Sequence, residues 1–511
     1  MPARSDFDLL IIGGGINGAG IARDAAGRGL SALLCEQGDL ASATSSASTK
    51  LIHGGLRYLE YYRFGFVREA LKEREVLLKI APHIVWPARF VLPYDKGLRP
   101  AWMIEAGLLL YDWLAPRKRL GRSQRIDLRS AKAGAPLKEK FATGFVYSDC
   151  RVDDARLAVL NAADARERGA LICTRTRCVS AKRAGAFWEA RLVDVQSGAA
   201  ETVTARALVN AAGPWAGEVL SSIAGHHAPR QLRLVKGSHI VVRRLYEGEH
   251  CYVLQNDDGR LIFVMPYESG FTLIGTTELP FSGDPAQAAI RPEELSYLTA
   301  AVSRYFRKPL REDEIIASFA GVRPLYETGA RTASALTREY VLDLDAPPGL
   351  APLISVFGGK ITTYRRLAED AVEKLIPYLK PPRPARWTAF APLPGGDLGR
   401  GDPGLFTRLL RAQYPWLDQA IAERLARAYG TRAQHVLRRA KSPRDLGTDF
   451  GAGLTQAEID YLIDEEFALT AEDILWRRSK LSLHLSKAQI ALAGGYIEAR
   501  VRAKRAERDN G

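Results

Sequence analysis

The chain has 511 residues, of which 47% are hydrophobic and 25% charged, a composition typical of a globular protein. That length allows two to four domains and a large buried core. The net charge of +14 indicates a basic surface. Such a surface favours nucleic acid, an anionic membrane face or an anionic small substrate as partner, and charge alone does not choose among them.

The cysteines and the apolar runs exclude further classes of protein. The number of cysteines is odd and no CxxC spacing occurs, which argues against a disulfide framework and a metal site, and fits a reducing compartment. The N-terminus has no apolar signal-peptide core, and no stretch of about 18 uncharged apolar residues occurs. We therefore expect a cytoplasmic protein without a transmembrane helix. The cysteines are Cys35, Cys150, Cys173, Cys178 and Cys251.

The first forty residues predict a βαβ unit. The apolar run FDLLII at residues 7–12 indicates a buried parallel strand, and an Ala-rich helix follows from about 17 to 28. A second apolar run, SALLCE, ends in Glu36. An acid at that position hydrogen-bonds ribose hydroxyls and disfavours a 2′-phosphate.

Three glycines between the first strand and the helix complete a dinucleotide fingerprint, GxGxxG. Gly13 permits the tight turn, Gly15 lets the backbone approach a pyrophosphate, and Gly18 lets the helix pack against the strand. The helix N-terminus then offers N–H groups and a positive dipole end to phosphates. NAD and FAD share this fingerprint, so it does not separate the two cofactors. The small hydroxyl residues of ATSSASTKLIHGG at 43–55 would allow close packing along a long anionic cofactor.

Later segments predict two more kinds of structure. A charged helix is predicted at 60–80, and residues 380–403 are rich in proline and indicate a linker. From Pro403 onward the pattern is helical and charged, which predicts a separate C-terminal domain. Several strand-like segments alternate polar and apolar residues, which suggests an antiparallel sheet with one solvated or ligand-facing side. The strand-like segments are Leu171–Cys173, Ala207–Val209, His239–Val242, Leu261–Val264, Phe271–Ile274 and 353–360.

The chain closely resembles the FAD-dependent glycerol-3-phosphate dehydrogenases, the respiratory, quinone-reducing type of aerobic bacteria and mitochondria. Matching stretches run along the chain in the family's order. Among them are IIGGGINGAGIARDAAGRGL (11–30), ATSSASTKLIHGGLRYLE (43–60), NAAGPWA (210–216), LVKGSHIVV (234–242), GVRPL (321–325) and SVFGGKITTYRRLAE (355–369). The chain departs slightly, with Glu278 and Glu339 where the family often has Asp. Both changes keep the charge.

The resemblance implies an α/β fold with a glutathione-reductase-like FAD domain of the D-amino-acid-oxidase type. We expect this domain to comprise 1–80, 145–233 and 316–385. An antiparallel-sheet domain that binds substrate and faces the membrane would comprise 81–144 and 234–315. The helical C-terminal domain would comprise 386–511.

The resemblance also implies FAD as cofactor and a set of residues that bind it. The segment GGKITTY at 358–364 would place N–H donors at a helix N-terminus against the flavin. The expected FAD-binding residues are Gly13, Gly15, Ile16, Asn17, Gly18, Glu36, Gln37, Thr44, Ser45, Ser46, Ser48, Lys50, Leu51, His53, Gly54, Val179, Gly213, Gly321, Gly358, Gly359, Lys360, Ile361 and Thr362.

The implied substrate, sn-glycerol 3-phosphate, is a dianion with a secondary alcohol. Its phosphate needs guanidinium or ammonium groups, and its hydroxyl proton needs a base that titrates near neutral pH. We expect His53 or His239 as the base, with Arg323 and Lys360 stabilising the developing alkoxide. The residues expected to bind substrate are Arg57, Tyr58, Thr276, Arg323, Arg338 and Lys360.

Residues 83–140 suggest where the electron acceptor reaches the protein. Three tryptophans, Trp86, Trp102 and Trp113, lie among apolar residues, and over 117–140 nine Lys or Arg oppose two acids. Such segments bind anionic membrane surfaces without crossing them. Because the family is membrane-associated and reduces a membrane quinone, we expect peripheral attachment to the inner face of the cell membrane. A homodimer is also expected.

Three alternatives remain at this point. A glycerol-3-phosphate oxidase would have the same fold and use O₂. An amino-acid oxidase of this fold would pair an arginine with a carboxylate. An FAD-dependent protein that binds or modifies RNA would suit the charge, but the chain has no RRM, KH or zinc pattern, so no nucleic-acid partner is expected.

Overall fold

The computed structural model describes residues 6–95, 100–225, 232–326, 339–399 and 401–509. The strands are β1 (Phe7–Ile12), β2 (Ala32–Glu36), β3 (Leu51–Ile52), β4 (Val85–Pro93), β5 (Gln124–Asp127), β6 (Thr143–Val152), β7 (Leu171–Thr174), β8 (Thr176–Ala184), β9 (Phe187–Asp194), β10 (Ala200–Asn210), β11 (Leu232–Arg243), β12 (Cys251–Gln255), β13 (Leu261–Tyr267), β14 (Phe271–Gly275), β15 (Leu279–Pro280), β16 (Ile315–Tyr326), β17 (Val341–Asp345) and β18 (Leu353–Phe357). The helices are α1 (Ile16–Gly27), α2 (Phe64–Ile80), α3 (Ala101–Trp113), α4 (Asp154–Glu167), α5 (Ala216–Glu218), α6 (Pro292–Tyr305), α7 (Tyr364–Leu379), α8 (Pro403–Gln413), α9 (Gln419–Tyr429), α10 (Ala433–Leu437), α11 (Gln456–Glu465) and α12 (Lys487–Asp509).

The first sheet has a parallel centre. Its strand order is β17-β18-β10-β1-β2-β7, and β8 and β9 extend it as antiparallel strands from β10. The central strand β1 pairs in parallel with β10 and β2 and is buried on both faces. Helices α1, α4 and α7 cover one face. The alanines Ala19, Ala22 and Ala25 are fully buried, and their short side chains let α1 lie close to the sheet.

The second sheet is mainly antiparallel. Its order is β15-β11-β14-β13-β12-β4-β6-β3, with β16 paired to β11 and β5 to β6. Helix α6 packs on one face, and α2 and α3 pack on the other. Most side chains of both faces are therefore buried beneath helices, while part of β16, residues 319–325, faces a cavity.

The pairing of strands departs from the predicted division of the chain at three places. Strands β3, β6 and β16 lie within the ranges expected for the FAD domain, but all three pair in the second sheet. The reason is that β6 continues along β4, and β16 pairs along almost the whole length of β11.

The C-terminal helices α8–α12 form a core of their own, which includes Leu425, Leu462 and Ile474. Residues 380–399 connect this core to α7 through turns and irregular structure, in keeping with their proline content. Within the described ranges, none of the helices combines the length and the apolar character needed to cross a bilayer.

Candidate active site

The glycine turn between β1 and α1 brings backbone atoms into close contact. Gly13 has φ +111°, and a Cβ on it would lie 2.6 Å from the Ala211 carbonyl oxygen. A Cβ on Gly18 would lie 1.9 Å from the Gly13 carbonyl oxygen. Only glycine fits at these two positions, so α1 begins directly against the end of β1.

Glu36 lies at the end of β2, beside this turn. Its carboxylate accepts hydrogen bonds from the backbone N–H groups of Gly14 and Gly38, each at 2.7 Å. Burial raises the pKa of the Glu36 carboxyl, and the two N–H donors partly offset that rise. These bonds fix the carboxylate at the edge of the glycine turn, where a ribose hydroxyl could donate to it.

A cavity of about 700 Å³ runs from this turn to the second sheet. Most of the residues predicted from sequence to bind cofactor line it, although they come from segments far apart in the chain. These lining residues are Gly13, Gly15, Ile16, Asn17, Glu36, Gln37, Thr44, Ser45, Ser46, Ser48, Leu51, His53, Gly213, Gly321, Gly358, Gly359, Lys360 and Ile361.

The other predicted cofactor residues are not part of the cavity lining. Gly18 contacts the glycine turn, and Thr362 is fully buried. The Lys50 ammonium donates to the Asp154 carboxylate at 2.8 Å in a buried ion pair. Gly54 donates its N–H to the Tyr111 hydroxyl, and the Val179 side chain is exposed. These residues support the wall or lie apart from it.

His53 and Lys360 meet at one end of the cavity. The Lys360 ammonium donates to the His53 carbonyl oxygen at 3.0 Å, and the His53 N–H donates to the Thr362 hydroxyl at 3.2 Å. The Lys360 nitrogen also lies 5.5 Å from the centre of the Tyr58 ring. The contacts join the loop after β3 to the N-terminus of α7, so His53 and Lys360 line the same space.

Arg323, on β16, also lines the cavity. One guanidinium nitrogen lies 3.3 Å from the Glu278 carboxylate, and the other donates to the Thr276 hydroxyl at 3.4 Å. The Arg323 side chain is 22% exposed, so a small anion can reach it. Glu278, one of the departures from the family pattern, orients this guanidinium.

His239 is fully buried and does not line the cavity. Its Nε2 lies 3.1 Å from the Thr49 hydroxyl, and its ring stacks on Phe319 with centroids 4.9 Å apart. Thr49 and Phe319 both line the cavity, so His239 lies in the layer directly behind its wall and contacts two of the residues that form it.

The remaining predicted substrate residues are spread around this end. Tyr58 and Thr276 contact Lys360 and Arg323 without lining the cavity. Arg57 is partly buried and does not line it either. Arg338 lies outside the described residues.

Sequence reasoning missed part of the wall. Glu472, Trp476 and Arg477 of the C-terminal domain line the cavity, as do Arg177 and Glu218. The helical, charged pattern around residues 470–481 contains no signal that would have indicated a ligand. Only the docking of the C-terminal domain places Glu472, Trp476 and Arg477 in the cavity wall.

The residues present fit a bound dinucleotide. Backbone N–H groups at the start of α1 and the hydroxyl of Ser45, which accepts the N–H of Ile16 and keeps its own proton to donate, suit phosphates, and Glu36 suits a ribose. The volume lies within the range of cofactor sites. A parallel sheet with this turn and cavity, joined to a second sheet, defines the class of dinucleotide-dependent oxidoreductases.

Comparison with known proteins makes the class more specific. Residues 8–365 match the family model described as FAD dependent oxidoreductase, and residues 387–499 match the C-terminal domain of alpha-glycerophosphate oxidase. A glycerol-3-phosphate dehydrogenase from Pseudomonas aeruginosa is 53% identical over 98% of this chain and 96% of that protein. A D-erythritol 1-phosphate dehydrogenase from Brucella abortus is 49% identical over 95% of this chain and 96% of that protein.

A solved structure agrees with these relatives. The FAD complex of a glycerol-3-phosphate dehydrogenase from Bacillus halodurans superposes with a TM-score of 0.76 at 28% identity, covering 98% of this chain and 94% of that one. The chain belongs to the FAD-dependent glycerol-3-phosphate dehydrogenase family, and FAD is its cofactor. The family, the fold class and the cofactor predicted from sequence are thereby confirmed.

Proposed function

We propose that the protein oxidises sn-glycerol 3-phosphate at C2 to dihydroxyacetone phosphate. The observation that carries the proposal is that His53, Lys360 and Arg323 line one cavity together with the glycine turn. FAD, when bound, accepts the hydride that leaves C2. Two relatives, 53% and 49% identical, are named as dehydrogenases of glycerol 3-phosphate and of D-erythritol 1-phosphate, which is consistent with this chemistry.

The three side chains have separate roles in proton transfer and in charge stabilisation. His53 takes the C2 hydroxyl proton, since His53 lines the cavity whereas His239 is fully buried and does not. Arg323 and Lys360 place positive charge where the alkoxide develops and where the phosphate binds. The hydrogen bond from the Lys360 ammonium to the His53 carbonyl fixes the position of the cation relative to the base.

Anaerobic addition of glycerol 3-phosphate to the purified holoprotein tests this proposal. We expect the flavin band near roughly 450 nm to bleach once one equivalent of substrate has been mixed with the protein. A yellow protein that keeps its band would retain the fold and cofactor but contradict the proposed substrate.

D-erythritol 1-phosphate is a second candidate substrate, because the relative named for its oxidation is 49% identical over nearly the whole chain. Both compounds present a phosphate and a secondary alcohol, so the same three side chains would serve. Flavin reduction by each substrate, compared as kcat/KM, decides between them. We expect the higher value with glycerol 3-phosphate.

We propose a membrane quinone as electron acceptor, reached at an aromatic face of the second domain. The face consists of the exposed apolar side chains around α3 and the turn before α2. Trp102 is 67% exposed and Trp113 85% exposed. The other members of the face are Tyr61, Tyr62, Phe64, Met103, Leu109 and Leu110. An apolar face of this size at the surface is typical of a contact with protein or membrane.

Exposed cations lie next to the aromatic face, which favours an anionic membrane as its partner. Lys118, Arg122 and Arg125 are exposed in the segment after α3. The inner side of α3 contacts the site, because the Tyr111 hydroxyl accepts the N–H of Gly54, next to His53. This arrangement supports peripheral attachment to the inner face of the cell membrane. The amount of H₂O₂ formed during turnover in air distinguishes this function from that of an O₂-dependent oxidase, and we expect little. Analytical sedimentation of the purified protein would test the expected homodimer.

A further inference from the structure

A single turn of the C-terminal domain contacts both the FAD domain and the cavity. Residues Asp473–Arg478 form a π-helical turn, a geometry frequent at functional sites. Ile474 and Leu475 pack into the core of the C-terminal domain. The side chains that follow them in the chain point away from that core, toward the loop after β2.

The turn is fixed to that loop by buried ion pairs. Asp39, three residues beyond the end of β2, accepts from the Arg477 Nε at 2.6 Å. It also accepts from two Arg478 nitrogens, at 2.6 and 2.8 Å. Arg175 pairs with Asp473 at 2.8 Å, and all four carboxylate oxygens are shielded from solvent. Buried charges of this kind fix the geometry, because removing one partner leaves the other uncompensated.

The loop held by Asp39 is the same one that surrounds the cofactor cavity. Ala41 donates its N–H to the Gly14 carbonyl at 3.1 Å, and the Ser45 hydroxyl accepts the N–H of Ile16 at 2.9 Å. Residues 41–49 then continue along the cavity wall. A displacement of the C-terminal turn would therefore shift the loop and the glycine turn together.

Trp476 is the side chain of this turn that faces the cavity. It is only partly buried, although the residues on both sides of it are buried. Its ring meets Phe319 edge to face with centroids 6.3 Å apart, and both rings line the cavity. A partly exposed indole that lines a cofactor cavity has apolar surface that a bound cofactor would cover.

We propose that the C-terminal domain is part of the FAD site. Trp476 closes the wall of the cavity, and the Asp39 ion pairs hold that wall against the loop at 41–49. FAD binding and the docking of the C-terminal turn are then thermodynamically coupled, each favouring the other. The inference concerns retention of FAD and is independent of which substrate is oxidised.

The FAD affinity of the apoprotein tests the proposal in Trp476→Ala, with Trp416→Ala as matched control. Trp416 is also partly buried and meets an aromatic ring, Tyr414, edge to face, but it belongs to the C-terminal core and does not line the cavity. We expect the Kd for FAD to rise about tenfold or more in Trp476→Ala and to stay unchanged in the control. Trp476→Phe, which keeps a ring in the wall, should recover most of the affinity.

Two results would overturn the proposal. One is a Kd for Trp476→Ala within about twofold of the wild-type value. The other comes from amide hydrogen exchange of the wild-type chain, in which added FAD should protect both 41–49 and 473–478. Protection of the loop alone would show that the C-terminal turn does not sense the cofactor. Trp476→Leu provides the same affinity measurement if the alanine variant does not fold.

Discussion

Two histidines meet the chemical requirement for a base, and their surroundings separate them. Burial lowers the pKa of His239 well below its usual value, and the positive charges of Arg323 and Lys50 lower it further. His239 Nδ1 has no hydrogen-bond partner within the described part of the chain. A fully buried imidazole that stacks on an aromatic ring suits a structural role. His53, on the loop after β3, has the access that a base needs.

Replacement of each histidine by glutamine should distinguish these roles. We expect His53→Gln to slow anaerobic flavin reduction by about 10²- to 10⁴-fold, the range for loss of a general base. His239→Gln should lower the thermal midpoint and leave the reduction rate within a few-fold. Stopped-flow absorbance measures the rate. Equal losses in the two variants would contradict the assignment of His53.

Arg323 offers a second prediction for a single residue. Arg323→Lys keeps the charge but loses the forked donors that now contact Glu278 and Thr276. We expect the Kd for substrate, taken from the concentration dependence of flavin reduction, to rise about tenfold or more. Arg311→Lys is the control, because Arg311 pairs with Asp313 on the surface. An unchanged Kd in Arg323→Lys would remove Arg323 from the substrate site.

At the scale of elements, the contact of β1 with α1 depends on glycine. In Gly18→Ala the new methyl group would lie 1.9 Å from the Gly13 carbonyl oxygen, so α1 must move away from the strand. We expect a loss of about 3 kcal/mol in the free energy of unfolding and weaker FAD binding. Chemical denaturation and FAD titration provide the two measurements.

Gly107, inside helix α3, provides the control. A Cβ there meets no atom within 4 Å, so alanine should stabilise the helix by up to about 1 kcal/mol. A Gly18→Ala variant as stable as the wild type would mean that the strand and helix can separate freely. Of these two helical glycines, only Gly18 is required for packing, because only its Cβ position is occupied by another atom.

At the scale of the molecule, buried ion pairs dock the C-terminal domain and should make its docking sensitive to acid. Burial raises the pKa of Asp473, but the charges of Arg175 and Arg477 outweigh it and lower the pKa to about 2. The stabilisation is present above the unfolded-state pKa of about 3.9 and is lost as pH falls through the folded value. Its size is on the order of 2 kcal/mol.

The free energy of unfolding between pH 5 and 2, followed by urea denaturation, tests this dependence. Asp473→Asn should unfold more easily at neutral pH and lose less stability on acidification than the wild type. Asp313→Asn, at the exposed pair with Arg311, should keep the wild-type slope. If the free energy of unfolding of Asp473→Asn fell as steeply with pH as that of the wild type, the acid response would belong to other carboxyl groups.

Membrane attachment is the other prediction that concerns the whole molecule. We expect the protein to float with anionic liposomes at low salt and to dissociate as salt rises. Replacement of Trp102 and Trp113 by serine should abolish flotation, because it removes the largest exposed rings of the aromatic face. Phe390→Ser, at an exposed ring outside that face, should float normally. Absence of binding by the wild type at low salt would contradict the proposal.

The sequence by itself determined the parts of this protein that depend on local chemistry. Gly13, Gly15 and Gly18 between a strand and a helix predicted the dinucleotide turn, because the backbone at Gly13 and Gly18 tolerates no side chain. Family motifs identified FAD, and most of the residues that they predicted to bind it line the cavity. The proline-rich linker and the helical C-terminal pattern were also readable, since each depends on composition within one segment.

Tertiary structure decided what depends on contacts between distant segments. Strands β6 and β16 pair in the second sheet because of their partners β4 and β11, which no local pattern reveals. The stacking of His239 on Phe319 follows from that same pairing. Trp476 reaches the cavity only because Arg477 and Arg478 bind Asp39, more than four hundred residues earlier in the chain. Burial and ion pairing across such separations are properties of the folded chain.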